Sequence, residues 1–164
     1  MKKNNIIFIL GPGKSGSTFL DSSLGRYLGC ISLGEVQEIE WESKNGICGC
    51  NKKLKDCKTW KPILKKINKF NTIKLFREKK GSGKRYRLEY FKFIFGFSHK
   101  FNINNDYIEQ NINLFRILSK NKKEKYLVDS SKDTYRFIQL YFSNKFNLKT
   151  IFLYKDPRAW VNSN

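Results

Sequence analysis

The sequence predicts an α/β domain built on a central parallel sheet flanked by helices. Three features carry that prediction. Short apolar, β-branched runs occur at residues 5–10, 126–128 and 150–154. A segment with helical apolar spacing or a helix-opening turn follows each of them. Glycine, serine or proline marks the passage from one to the other. Alternating strands and helices bury a parallel sheet on both faces. The length of 164 residues suits a single domain, enough to bury about 70% of the unfolded chain's surface.

The elements follow in chain order. Residues 5–10 run Asn5, Ile6, Ile7, Phe8, Ile9, Leu10 and stop at Gly11, the pattern of a buried strand. Residues 17–29 place Phe19, Leu20, Leu24, Tyr27 and Leu28 at three- and four-residue steps, which predicts a helix with one apolar face, closed by Gly29. Cys30 to Leu33 reads as a second short strand, and residues 44–60 as a loop rich in Cys, Gly and Lys. Residues 52–100 hold 17 Lys/Arg against three acids, Asp56, Glu78 and Glu89. Lys79 to Arg85 has no core-forming pattern and reads as an exposed loop, while Tyr90 to Phe95 suits helix or strand. Residues 106–120 predict a helix with Ile108, Ile112, Phe115 and Leu118 on one face. Tyr126 to Val128 is a strand that leads into Asp129, Ser130, Ser131 and Lys132. Residues 133–146 fit a helix carrying Phe137, Ile138, Leu140 and Tyr141. The last strand, 150–154, passes into a helix opened by Lys155, Asp156, Pro157 and Arg158, with Pro157 suited to a first turn. The chain stops at Asn164 inside that helix, so residues 1–164 are expected to form the N-terminal portion of one domain, with a Cys-rich, basic insertion at about 44–100. No internal repeat is present.

Composition narrows the function classes. Hydrophobic residues at 40% and charged residues at 29% exclude a disordered chain. No run approaches the roughly 20 apolar residues of a membrane span. The apolar start is followed by Gly11, Pro12, Gly13 and Lys14 where a signal peptide would carry its cleavage site, so a cytoplasmic protein is expected. Lys+Arg 33 against Asp+Glu 14 gives a net charge of +19, a field that attracts anions. Abundant Asn and Ile beside the Lys fit an AT-rich coding sequence, to which we assign the larger part of that charge. Aromatics among the lysines of 52–100 (Tyr86, Tyr90, Phe91, Phe93, Phe95) would suit single-stranded nucleic acid. We read them first as ordinary core beside a solvated face, with no nucleic-acid partner, and a basic nucleic-acid-binding module stays open as the alternative.

The chemistry concentrates in Gly11, Pro12, Gly13, Lys14, Ser15, Gly16, Ser17 and Thr18, between a strand and a helix. Backbone amides at a helix start, freed of side-chain bulk by glycine, cradle an anion, and Lys14 adds a full positive charge. The bland alternative is a turn that only joins strand to helix. A triphosphate-binding G-x-x-x-x-G-K-[ST] loop would need lysine where Ser17 stands. The dinucleotide fingerprint G-x-G-x-x-G is matched by Gly11, Gly13 and Gly16, with Glu35 at about the distance of a ribose-binding acid, so an NAD(P)-dependent oxidoreductase stays open.

A third reading comes from resemblance. Residues 13–18 resemble the 5′-phosphosulfate loop, P-[KR]-S-G-[ST]-T, of sulfotransferases that use 3′-phosphoadenosine 5′-phosphosulfate (PAPS), with Gly13 in place of the usual proline. Residues 153–163 resemble the family's 3′-phosphate site, in which a strand-end Arg is followed eight residues later by a Ser. Lys155 and Ser163 hold those positions here, and Lys keeps the charge but loses the bidentate fork. Leu33, Gly34 and Glu35 with Trp41, Cys48, Cys50, Cys57 and Trp60 look like the Gly-Glu…Cys-x-Cys…Cys-x-x-Trp pattern of bacterial-type members. The 21-residue step from Lys14 to Glu35 is similar to the tyrosylprotein branch, where this glutamate is the base. Asp129 to Lys132 resembles a segment whose lysine points at the reacting centre. The resemblance spans most of 6–60 and 125–163, and 61–124 matches nothing.

It implies a P-loop-like three-layer fold and transfer of a sulfuryl group from PAPS to an acceptor hydroxyl or amine, leaving 3′-phosphoadenosine 5′-phosphate. Glu35 would be the base, and Lys14 and Lys132 would neutralise charge on the transferring group. Gly13, Lys14, Ser15, Gly16, Ser17, Thr18, Lys155 and Ser163 would hold the nucleotide. The acceptor is expected to be a glycan or another anionic, hydroxyl-bearing molecule. No metal is assigned. Four cysteines without a secretory signal do not suggest a disulfide framework. Cys48, Cys50 and Cys57, with Cys30 distant, depart from the C-x2-C spacing of zinc pairs and read as a redox-sensitive or packing cluster. His99, the single histidine, has no Cys or acid beside it and reads as surface or core.

Overall fold

The apolar run Asn5–Leu10 becomes the inner strand β1 because it can be buried on both faces: Ile6, Phe8 and Ile9 are fully inaccessible. The computed structural model describes residues 3–27, 29–48, 50–58, 60–69, 95, 101–119 and 125–161. After β1 come α1 (Ser17–Leu24), β2 (Cys30–Ser32), a 3-10 turn (Val36–Glu38) and α2 (Ile39–Asn45). A second 3-10 turn (Leu54–Asp56) leads to α3 (Trp60–Lys69) and α4 (Asn105–Ser119). The chain then forms β3 (Tyr126–Asp129), α5 (Thr134–Phe142), β4 (Asn147–Phe152) and α6 (Pro157–Val161). The four strands form one all-parallel sheet in the order β2-β3-β1-β4. Ile6 stands opposite Leu127 and Leu148, and Leu10 opposite Phe152.

Successive residues of β1 point to opposite faces. Ile6 and Phe8 join Leu127 in one core cluster with Tyr107, Leu114 and Phe115 of α4 and Leu140 of α5. The ring of Phe8 meets that of Phe137 on α5 at 5.6 Å. Ile9 and Val128, both fully buried, take the opposite face, and α1 packs on β1, β2 and β3. The connection from β1 runs toward β2 and that from β3 runs the other way toward β4. Right-handed crossovers in opposite directions place α1 and α5 on opposite faces of the sheet. The result is the expected three-layer α/β architecture. Among the described residues no helix is long and apolar enough to cross a membrane.

Four segments depart from the sequence-based expectation. The helix expected over 17–29 ends at Leu24, with the Gly25 amide donating to the Asp21 carbonyl at 2.9 Å. A Cβ at residue 25 would lie 2.6 Å from Ser32 Cβ, so glycine is what lets the helix end pass under β2. The packed face of α1 is Ser17 and Asp21, while Phe19 and Tyr27 are 79% and 72% exposed. Helix α5 stops at Phe142 rather than 146, and Asn144 turns the chain with φ 53°. The last strand runs 147–152 rather than 150–154, because it is paired with β1 from Asn5 onward. Part of the expected 44–60 loop is ordered into α2 and the second 3-10 turn. Leu28, the 79–85 loop, residues 90–94, His99 and Ser163 lie outside the described residues.

Candidate functional site

Four loops leave the carboxyl ends of the four strands, the rim where open parallel sheets take their ligands. Neighbouring β1 and β3 send their connections in opposite directions, so a crevice opens between them.

The loop after β1 is shaped by backbone conformation. Gly11 has φ 153°, and a Cβ there would approach the Leu153 carbonyl oxygen to 2.8 Å. The Leu153 amide in turn donates to the Leu10 carbonyl at 2.8 Å, which locks this loop to the end of β4. Lys14 and Gly16 are both left-handed, with φ 59° and 89°. Gly16 precedes α1 without a side-chain cap, which leaves the first-turn amides to whatever acceptor the loop can hold. A Cβ on Gly13 or Gly16 would meet nothing within 4 Å, so both glycines border open space. The Ser15 hydroxyl is buried with no hydrogen-bond partner. Lys155 reaches across from the loop after β4 and donates through Nζ to the Lys14 carbonyl at 3.1 Å. Beyond it, Asp156 accepts from the Arg158 amide at 2.9 Å and from its guanidinium at 2.7 Å. Those bonds hold the Asp156 carboxyl below its ordinary range.

The loops after β2 and β3 are built from buried side chains. Asp21, from α1, accepts at Oδ2 from the Ser32 hydroxyl at 2.8 Å, the Gly34 amide at 3.1 Å and the Ser130 hydroxyl at 3.3 Å. Burial pushes the Asp21 carboxyl up against those three donors, and its Oδ1 has no partner. Ser130 N–H donates to the Gly34 carbonyl at 3.0 Å. Gln37 donates from its amide to the Ser131 hydroxyl at 3.2 Å and from its side chain to the Ser131 carbonyl at 3.1 Å. Asp129 accepts from the Ser131 hydroxyl at 2.6 Å and from Arg136 Nε at 2.8 Å. Arg136 also donates to the Tyr107 hydroxyl at 2.9 Å. Burial alone would favour loss of the Arg136 proton; the charge of Asp129 and the hydrogen bonds to Asp129 and Tyr107 outweigh it and raise the pKa. The two loops are thereby stitched together, and they carry Glu35 and Lys132 on their outer side as a direct ion pair. Lys132 is itself left-handed, with φ 61°.

A cleft of about 530 Å³ opens beside this pair, lined by Thr18, Asp21, Glu35, Cys48, Trp60 and Ser130 among others. That volume is within the range of small-molecule sites. Glu35 and Lys132 are thus in contact, Thr18 shares a cleft with Glu35, and Lys155 touches the loop that carries Lys14. Gly13, Lys14, Gly16 and Thr18 are exposed, Ser15 is half-buried and Ser17 is buried in the packed face of α1. Asp21 and Arg136 were missed by the sequence reading. A lone acid on α1 between apolar and serine residues was the available signal for Asp21. For Arg136 it was Asp129 at the end of the preceding strand. No protein-family model matches the chain, and no curated protein or solved structure matches it either.

Proposed function

We propose that this chain moves a sulfuryl group from PAPS to an acceptor hydroxyl or amine. The observation that carries the reading is that Thr18, from the anion loop, and Glu35, ion-paired to Lys132, border one cleft. Transfer of this kind rests on positioning and charge neutralisation, as phosphoryl transfer does. Glu35 takes the proton from the acceptor oxygen or nitrogen as the new bond to sulfur forms and the sulfur–oxygen bond to the 5′-phosphate breaks, with 3′-phosphoadenosine 5′-phosphate leaving. Lys132 is placed to exchange its bond to Glu35 for one to the sulfuryl oxygens as the carboxylate becomes protonated. Lys14 and the amides of residues 15–18 face the bridging oxygen and the 5′-phosphate. Lys155, in the loop after β4, and Ser163 are assigned to the 3′-phosphate. The acceptor is read as an anionic, hydroxyl-bearing molecule such as a glycan, drawn by the basic surface, and the place of action as the cytoplasm.

Strand order weighs against the dinucleotide alternative. The ribose-binding acid of that fold stands at the end of a strand adjacent to β1. Here β3 lies between β1 and β2. Glu35 is therefore displaced by a further strand spacing, about 4.8 Å, and is paired with Lys132 instead of being open to a ribose.

The test is a thermal-shift panel of 3′-phosphoadenosine 5′-phosphate, NAD, ATP and a short RNA. Only a ligand held by the folded state raises the melting temperature. The expected result is a saturable rise with 3′-phosphoadenosine 5′-phosphate and none with NAD. A rise with NAD or RNA alone, or with no member of the panel, overturns the reading.

A further inference from the structure

Cys48, Cys50 and Cys57 fall within ten residues of sequence and lie close together in space. Cys48 and Cys50 sit on a tight turn whose ends, Ile47 and Lys53, pair antiparallel. Asn51 closes that turn with φ 61° and donates to the Cys48 carbonyl at 2.8 Å. Cys57 ends the second 3-10 turn, and its carbonyl accepts from Lys61 in the first turn of α3 at 2.8 Å. Two separate pieces of backbone thus present thiols to one point. The Cys57 Sγ lies 3.4 Å from that of Cys48 and 3.6 Å from that of Cys50. All three sulfurs fall within 4.8 Å of one another, and none is in a disulfide.

These separations select among chemistries. A disulfide needs sulfurs at about 2.05 Å. Zinc bound by thiolates at about 2.3 Å sets tetrahedral sulfur-to-sulfur edges of about 3.8 Å, close to what the fold provides. Apolar packing accounts for Cys57, which is 3% exposed, but not for Cys50, which is exposed on a turn whose Ile47 is 71% exposed. A short hairpin with so little core of its own needs a cross-link to hold its shape. Lys52, Lys53, Lys55 and Lys58, all exposed, lie in the same stretch of chain with one acid, Asp56, a positive balance that suits the anion formed by three thiolates and a dication.

We propose that Cys48, Cys50 and Cys57 form a three-thiolate site for Zn²⁺, with the fourth position taken by water. Each thiol gives its proton to solvent as its sulfur–zinc bond forms, and no oxidant or reductant takes part. The spacing that sets zinc aside in the sequence is replaced by a fold that delivers one ligand from a hairpin end, one from its tip and one from the end of the second 3-10 turn. Cys48 and Trp60 both line the cleft beside Glu35, so the metal fixes one wall of that cleft. The site does not depend on the sulfotransferase reading.

The experiment titrates the full, reduced chain with Co²⁺ and then Zn²⁺ in the absence of nucleotide. Thiolate-to-cobalt charge-transfer absorption with tetrahedral ligand-field bands, reaching its endpoint at one equivalent and erased by Zn²⁺, is expected. Cys50→Ser, at an exposed position, removes that endpoint, and Cys30→Ser leaves it unchanged. Zinc also slows the reaction of a thiol reagent with Cys48, Cys50 and Cys57 but not with Cys30. The proposal is overturned by the absence of a one-equivalent endpoint. Equal loss of signal in Cys30→Ser, or thiol reactivity indifferent to zinc, also overturns it. Because no nucleotide is present, these outcomes leave the thermal-shift result untouched.

Discussion

The rim of the sheet has two halves built on opposite plans. After β2 and β3 the loops are held by buried side chains, with Asp21, Asp129, Ser130, Ser131 and Arg136 each at most 3% exposed. After β1 and β4 the loops are held by backbone geometry, with left-handed Lys14 and Gly16, the Leu153–Leu10 bond and a single lysine reaching across. The first half has its polar groups largely satisfied from within and serves to aim Glu35 and Lys132. The second leaves amides, a buried Ser15 hydroxyl and open space over Gly13, which is the arrangement of a surface that an anion completes. Under the proposed sulfuryl transfer, the first half would supply rigid positioning and the second the anion cradle.

The contrast can be broken most directly at Arg136. Arg136→Ala strands the Asp129 carboxylate in the core, and loss of one member of a buried pair costs about 3–5 kcal/mol. Urea denaturation should show that loss, and a cost under 1 kcal/mol would mean that this half is not held by its ion pair. Next is Glu35→Gln, which removes the base while keeping the shape of the side chain. Sulfuryl-transfer turnover should fall about 10²- to 10⁴-fold, while binding of 3′-phosphoadenosine 5′-phosphate persists in calorimetry. Retained turnover would remove Glu35 from the role.

Asp21 sharpens the comparison through pH. Its folded-state pKa is raised above the ordinary 3.8 chiefly by burial. The folded state therefore holds the proton more tightly than the unfolded state does. The stability from the protonated carboxyl is fully present below 3.8 and lost as pH rises through the raised value. Denaturation of wild type and Asp21→Asn across that range should show the difference moving in favour of Asn as pH rises. A difference that is flat with pH would contradict the assignment. The smallest effect is expected from Gly13→Ala. With no neighbour within 4 Å of a Cβ, its stability should stay within about 0.5 kcal/mol of wild type. Anion affinity, read by calorimetry, should drop because the methyl occupies the space above the loop.

The two halves also differ in how far they could be read from sequence. Apolar runs announced β1 and β3, and the glycine spacing announced the loop after β1, because both are one-dimensional patterns. The packed face of α1 was invisible to hydrophobic periodicity. It is made of Ser17 and Asp21, and the burial of Asp21 is offset by hydrogen bonds from residues 11 to 109 positions away. Arg136 escaped for the same reason, since a charge is read as surface until its partner is known to lie beneath it. Glu35 and Lys132, 97 positions apart, were each named by motif. Their contact needed β2 and β3 to be paired in register.

Strand β4 has no outer neighbour among the described residues, and its burial is slight along its whole length, with Phe152 71% exposed. A bare strand border is a template on which a second molecule can stack edge to edge. What opposes such stacking in dilute buffer is mutual repulsion between chains of net charge +19. That repulsion reaches only about 10 Å at 0.1 M ionic strength and about 3 Å at 1 M. Concentrated solutions of this protein should accordingly stay clear at low ionic strength and cloud as salt is added, the reverse of ordinary salting-in.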